Sequence, residues 1–150
     1  MALKKIGVVG AGTMGNGIAQ AFAQAGFDVV MSDVAQAALD RALATISGSY
    51  DRLIKKEKMT AEQKAAALAR IKTGTDLAAL KDSDLIIEAA TENLDLKLKI
   101  FKQLDDLAKP EAVIASNTSS ISITKLAAST KRPDKVIGMH FFNPVPLMAL

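Results

Sequence analysis

Short continuous apolar runs alternate along this chain with longer stretches in which apolar residues recur every three or four positions. Ile6-Gly7-Val8-Val9 is an apolar run ending in glycine, the signature of a strand buried on both faces. Ile18 to Ala25 reads as a helix stopped by Gly26, and Phe27 to Met31 as a second strand. From Ala35 the apolar positions are 35, 38, 39, 42, 43, 46, 50, 53 and 54, which is helical spacing with one apolar face. Thr60 followed by Gln63 has the form of a capping box and starts another helix, running to about Ile71. A third strand is expected near Lys72 to Thr75. Asp84 to Ala89 predicts a strand, Leu94 to Ala108 a helix ending before Pro110, and Ala112 to Ala115 a strand. Ser122 to Ala128 predicts a short helix and Lys135 to Met139 a last strand. Strand and helix alternate, so the expected fold is α/β and doubly wound, a mostly parallel sheet with helices on both faces. Residues 35–71 exceed one crossover helix and read as a helical hairpin inserted after the second strand.

Composition narrows the function classes. The chain has 150 residues, 49% hydrophobic and 23% charged, enough for one domain with a real core. No run approaches the roughly 18 apolar residues of a membrane-spanning helix, so no membrane partner is expected. Lys4 and Lys5 lead straight into the first strand, which does not read as a signal peptide. There is no cysteine, which removes disulfides, thiolate metal sites and cysteine nucleophiles and fits a reducing, cytoplasmic compartment. A single histidine excludes a multi-histidine metal site, so no metal is expected. The formal net charge is +3. Residues 40–72 hold eight Lys or Arg against four Asp or Glu, so the positive excess lies on the hairpin. With 4% aromatics, this does not read as a nucleic-acid surface. It suits a small polyphosphate ligand, or simply a solvated helix face.

The motif with most content is Gly10-Ala11-Gly12-Thr13-Met14-Gly15, a GxGxxG that follows a strand and opens a helix in the first βαβ unit. Gly10 permits a tight turn, Gly12 lets backbone approach a pyrophosphate, and Gly15 lets the helix lie close to the sheet. Free N–H groups at that helix start favour phosphate. Asp33 ends the second strand. A carboxylate there accepts ribose hydroxyls and repels a 2′-phosphate, which favours NAD over NADP. Asp33 could otherwise serve only as a cap for the following helix. The fold is thus expected to be of the Rossmann type, with Gly10, Gly12, Thr13, Met14, Gly15 and Asp33 as cofactor-binding candidates.

Ligands of such sheets bind beyond the carboxyl ends of the strands. Three polar clusters fall there: Glu88 to Asn93, Ser116-Asn117-Thr118-Ser119-Ser120, and His140 with Asn143. His140 is the only side chain with an ordinary pKa near neutrality. A nicotinamide dehydrogenase acting on an alcohol must remove the hydroxyl proton as hydride leaves, and a histidine within reach can take it. Ser119 or Asn117 could hold the substrate oxygen. A structural histidine at a strand end fits the spacing equally well. A serine hydrolase does not fit, because there is no GxSxG elbow.

At these residues the chain resembles the short-chain L-3-hydroxyacyl-CoA dehydrogenases. The resemblance rests on Gly10 to Gly15, on Glu92-Asn93, on Ser116-Asn117-Thr118-Ser119-Ser120 and on His140-Phe141-Phe142-Asn143-Pro144-Val145-Pro146, and it covers the whole chain. It implies NAD-dependent interconversion of (S)-3-hydroxyacyl-CoA and 3-oxoacyl-CoA. By the same resemblance His140 is the general base, Ser119 lies near nicotinamide and substrate oxygen, and Asn143 near the nicotinamide ribose. Glu92 and Lys97 are further cofactor contacts, and Ser49 and Lys56 contact the CoA moiety. Those last two are seven residues apart, about two helical turns, and so share a face.

The resemblance also predicts a glutamate partner for the histidine at position 152 and a helical second domain that closes over substrate and forms most of a homodimer interface. The chain ends at Leu150, and its apolar tail from Phe141 to Leu150 reads as a surface that something further packs on. The expectation is therefore a chain that folds and binds NAD but catalyses weakly or not at all. Three alternatives remain open at this point: a dehydrogenase of a hydroxy acid without CoA, a non-catalytic structural NAD-binding module of the lens-crystallin kind, and a piece of a multifunctional fatty-acid oxidation enzyme. A first strand so close to Met1 favours a free-standing protein and argues against a transit peptide.

Overall fold

The computed structural model describes residues 3–90, 93–117 and 122–139. Six strands form one sheet: β1 (Lys5–Val9), β2 (Asp28–Ser32), β3 (Ile71–Gly74), β4 (Leu85–Glu88), β5 (Val113–Ser116) and β6 (Val136–Gly138). Their order is β3-β2-β1-β4-β5-β6, and all five pairings are parallel. The register sets Ile6 beside Val29 and Leu85, so β1 lies between β2 and β4 in the middle of the sheet. The helices are α1 (Thr13–Gln24), α2 (Gln36–Lys55), α3 (Ala61–Ala69), α4 (Leu94–Leu107) and α5 (Ile123–Ala128). The alternating, doubly wound Rossmann-type sheet expected from the sequence is the fold observed, with α2 and α3 forming the inserted hairpin.

Each face of the sheet has its own core. One joins Ile18, Met31, Leu39, Ile46 and Tyr50 from the α1–α2 side, all fully buried. The other joins Ile86, Phe101, Leu104, Ile114 and Leu126 from the α4–α5 side. Tyr50 ties the hairpin to α1, because its hydroxyl donates to the Gln20 carbonyl at 2.7 Å. Burial raises that phenol to about 12 against a smaller opposing effect of Arg70, so it stays a donor at all physiological pH. Arg132 locks the far edge. It donates to Asp105 Oδ1 at 2.7 Å and to the Lys109 and Ala112 carbonyls at 2.6 and 3.0 Å, closing the chain around the end of α4.

Several boundaries differ from the sequence reading. The helix α1 starts at Thr13 rather than Ile18, because its first turn is built from small and polar residues that hide the helical period. Phe27 lies outside β2 and packs edge-on against Phe22. Ile71 opens β3 instead of closing the preceding helix, which stops at Ala69. The capping box is present in full: Gln63 N donates to Thr60 Oγ1 at 3.1 Å and Thr60 N to Gln63 Oε1 at 2.9 Å. Short 3-10 turns at Leu77–Leu80 and Pro133–Lys135 escape any periodicity argument, being only four and three residues long.

Candidate functional site

The strand order reverses between β1 and β4, so the connections leaving their carboxyl ends run to opposite faces of the sheet, and the crevice outside those ends is where ligands of such sheets bind. The glycine loop forms one wall. Gly10 has φ +102°, and a Cβ there would stand 2.9 Å from the Ala90 backbone. Gly15 is tighter still, since a Cβ would come within 1.8 Å of the Gly10 carbonyl oxygen. Gly12 is different, because a Cβ on it would meet nothing within 4 Å. Two glycines thus shape the loop and the third keeps the space before it clear. The helix α1 opens on Gly12 with no side-chain cap and no acidic residue in its first turn. By contrast α3, α4 and α5 are each capped by a side chain, from Thr60, Asn93 and Ser122. The helix α2, opening on Ala35, likewise has no side-chain cap, so what sets α1 apart is the clear space before Gly12, the arrangement an anionic ligand requires. Thr13 is exposed and Met14 half-buried against the α1–α2 core.

Asp33 stands at the end of β2. Its Oδ2 accepts the Ala11 N–H and its Oδ1 the Ala35 N–H, both at 3.0 Å. It therefore both starts the chain toward α2 and braces the glycine loop, and it remains partly exposed. Beside it lies a cleft of about 390 Å³ lined by Gly10, Asp33, Val34, Leu77, Leu96 and Ile100 among others. Val34 is 94% exposed, an apolar side chain presented at the mouth of this slot. An apolar slot next to a partly exposed carboxylate fits a purine base whose ribose reaches the acid. The sequence reading did not single out Val34, Leu77, Leu96 or Ile100. The signal it lacked was the register that brings three separate segments to one strand end.

Lys97 is fully buried, paired with the equally buried Glu88 at the end of β4. Ser116 Oγ donates to the same carboxylate at 3.0 Å, and the Ala90 N–H at 2.8 Å. Asn117 follows β5, with its backbone N–H on the Glu88 carbonyl at 2.9 Å. Ser49 lies on α2 and accepts from Gln20 Nε2 at 2.6 Å, whereas Lys56 is exposed at the C-cap of that helix. Neither lines the cleft beside Asp33. Glu92, Ser119, His140 and Asn143 lie outside the described residues. Among the described residues no group of three or more His, Cys, Asp or Glu could hold a metal ion.

The family model described as "3-hydroxyacyl-CoA dehydrogenase, NAD binding domain" matches residues 5–150. The chain belongs to this family. Its NAD-binding domain is the fold just described, and NAD is the cofactor that goes with it. Among relatives, the chain is 54% identical over 148 residues to the 3-hydroxybutyryl-CoA dehydrogenase of Bradyrhizobium diazoefficiens, covering 99% of this chain and 50% of that protein. It is 50% identical over 146 residues to the 3-hydroxybutyryl-CoA dehydrogenase of Clostridioides difficile, covering 97% and 52%. Among solved structures, (S)-3-hydroxybutyryl-CoA dehydrogenase from Ralstonia eutropha superposes with a TM-score of 0.96 at 62% identity, over 99% of this chain and 53% of that one. The chain spans about half the length of the curated relatives it matches. Among the described residues no helix is long and apolar enough to cross a membrane.

Proposed function

We propose that this chain is the NAD-binding half of a dehydrogenase that interconverts (S)-3-hydroxyacyl-CoA and 3-oxoacyl-CoA, with 3-hydroxybutyryl-CoA and acetoacetyl-CoA as the pair favoured by the names of its relatives. The observation that carries this reading is the open glycine loop at an uncapped helix start, next to an apolar slot ending at Asp33. The loop and the first turn of α1 take the pyrophosphate, Asp33 the adenosine ribose, and the slot around Val34 and Leu96 the adenine. Bound NAD supplies the hydride acceptor. His140 takes the proton of the 3-hydroxyl, with Ser119 and Asn117 near the substrate oxygen and Glu92, Lys97 and Asn143 toward the cofactor. The cationic hairpin carrying Ser49 and Lys56 suits the phosphates of CoA.

The whole protein is read as a homodimer of the cytoplasm, joined through a second, helical domain and placed in fatty-acid and butanoate metabolism, with no nucleic-acid or membrane partner. A glutamate at 152 orients the histidine, so the 150 residues alone bind NAD and turn over acyl-CoA weakly or not at all.

Fluorescence titration with NADH and NADPH tests the cofactor reading. NADH is expected to saturate and NADPH to bind more weakly. Asp33→Ala is expected to lose about tenfold or more in NADH affinity, the worth of one hydrogen bond to a charged group. Equal binding of both cofactors, unchanged by Asp33→Ala, would sink the assignment of Asp33. Near-native turnover of acetoacetyl-CoA by residues 1–150 would sink the dependence on the second half.

A further inference from the structure

The Glu88 carboxylate joins four parts of the crevice. It ends β4 at 0% exposure, with Lys97 of α4 and Ser116 of β5 each at 1%. One oxygen, Oε1, meets the Lys97 ammonium and the Ser116 hydroxyl. The other, Oε2, accepts the Ala90 N–H at 2.8 Å. The Ala89–Ala90 backbone in turn is the wall against which Gly10 packs, so closely that a Cβ on Gly10 would stand 3.0 Å from the Ala89 oxygen. The main-chain oxygen of Glu88 accepts the Asn117 N–H. The glycine loop, α4 and the end of β5 are therefore fixed to one another through a single acid.

Burying that acid without reason would be costly, because a carboxylate and an ammonium both lose their hydration. Fold stability does not require it, since a well-packed apolar pair of similar volume commonly serves as well or better. The explanation lies in what the pair connects. An ammonium has three donors, and among the described residues Glu88 is the single partner of this one. Lys97 does not line the cleft beside Asp33, whereas Ala90, held by the same carboxylate, does. Through Ser116 and Ala90 the Glu88 carboxylate is itself held in place.

We propose that Glu88 is a positioning residue for the dinucleotide: it ties Lys97 of α4 and Ser116 of β5 to the end of β4 and braces the backbone behind Gly10. The inference rests on reading the chain as an NAD-binding domain. It adds that the affinity for cofactor depends on an acid that does not touch it.

The test compares NADH dissociation constants and thermal midpoints of the wild-type chain with those of E88Q, K97M, K97R, and the double variant E88Q/K97M. E88Q and K97M are each expected to bind NADH about tenfold or more weakly and to melt lower. K97R keeps the charge and is expected to stay within about threefold of wild type in affinity. The double variant decides between positioning and mere structure. It buries no unpaired charge, so its melting temperature should recover toward wild type while its NADH affinity stays as weak as that of the singles. Recovery of affinity together with melting temperature would show the pair to be only structural and overturn the proposal. So would an E88Q variant that binds like wild type. Should E88Q alone fail to fold, the double variant still gives the decisive reading. A folded wild-type chain that does not bind NADH at all would instead remove the NAD-binding reading itself, and this inference with it.

Discussion

Strand β4 carries a carboxylate at each end, and the two do different work. Asp84 precedes the strand. It accepts the Lys4 and Lys5 N–H groups at 2.9 and 3.0 Å and pairs with Lys109 at 2.5 Å. Glu88 ends the strand, and a backbone N–H, a lysine and a hydroxyl are among its partners. Each meets a lysine and backbone N–H, but depth separates them. The Lys109 side chain is 33% exposed, whereas Lys97 is 1% exposed. Water moderates both the attraction and the desolvation cost at the amino end. At the carboxyl end neither is moderated, so each partner is indispensable once the other is present. Asp84 fastens the first strand to the fourth on the side of the sheet away from the ligand. Glu88 fastens the same two strands' neighbours where the ligand lies.

Breaking the deeper pair should have the larger effect. Lys97→Met leaves Glu88 buried without a counter-charge, and urea denaturation is expected to show a loss of about 3–5 kcal/mol. Asp84→Ala removes the acceptor for two backbone N–H groups and should cost about 1–2 kcal/mol by the same measurement, with NADH affinity unchanged. A loss of cofactor binding in Asp84→Ala would erase the distinction between the ends.

The smallest effect sharpens the contrast through pH. The bond from Lys109 and those from the Lys4 and Lys5 N–H groups hold Asp84 at about 2, below its ordinary 3.8. A depressed acid stabilises the fold fully above its unfolded value, and that stability is lost as pH falls through the folded value. The urea midpoints of wild type and Asp84→Asn should therefore stand apart at pH 5 and converge as pH approaches 2. A constant gap across that range would show that the charge of Asp84 contributes nothing.

Much of this was legible in the sequence. Continuous apolar runs such as Leu85-Ile86-Ile87 mark strands buried on both faces, and Thr60 with Gln63 marks a helix start that the structure reproduces hydrogen bond for hydrogen bond. The glycine spacing carried the loop, because the close approaches at Gly10 and Gly15 allow no other residue. The Glu88–Lys97 pair was not read, although a trace of it is present. Glu88 closes a run whose every member is buried, and Lys97 sits between Leu94 and Phe101 on the apolar face of its helix. A charge in such a position needs a partner, but the sequence alone does not say which of the chain's lysines supplies it. The adenine slot was hidden for a similar reason. Val34, Leu77 and Leu96 belong to different segments, and only the sheet order brings them together.

The same order has a consequence for how the molecule comes into being. The strand β1 can pair with β2 as soon as α1 has formed, but its other neighbour is β4, reached through contacts such as Lys5 with Asp84, 79 residues apart in the chain. An all-parallel sheet offers no hairpin to shorten that wait. On the ribosome the amino-terminal β1–α1–β2 unit therefore has one long edge of β1 open until β4 emerges. The crevice between β1 and β4 cannot exist before then. Cofactor is recruited to a seam that closes late, and a chain halted before Glu88 leaves an apolar strand edge free to join another chain.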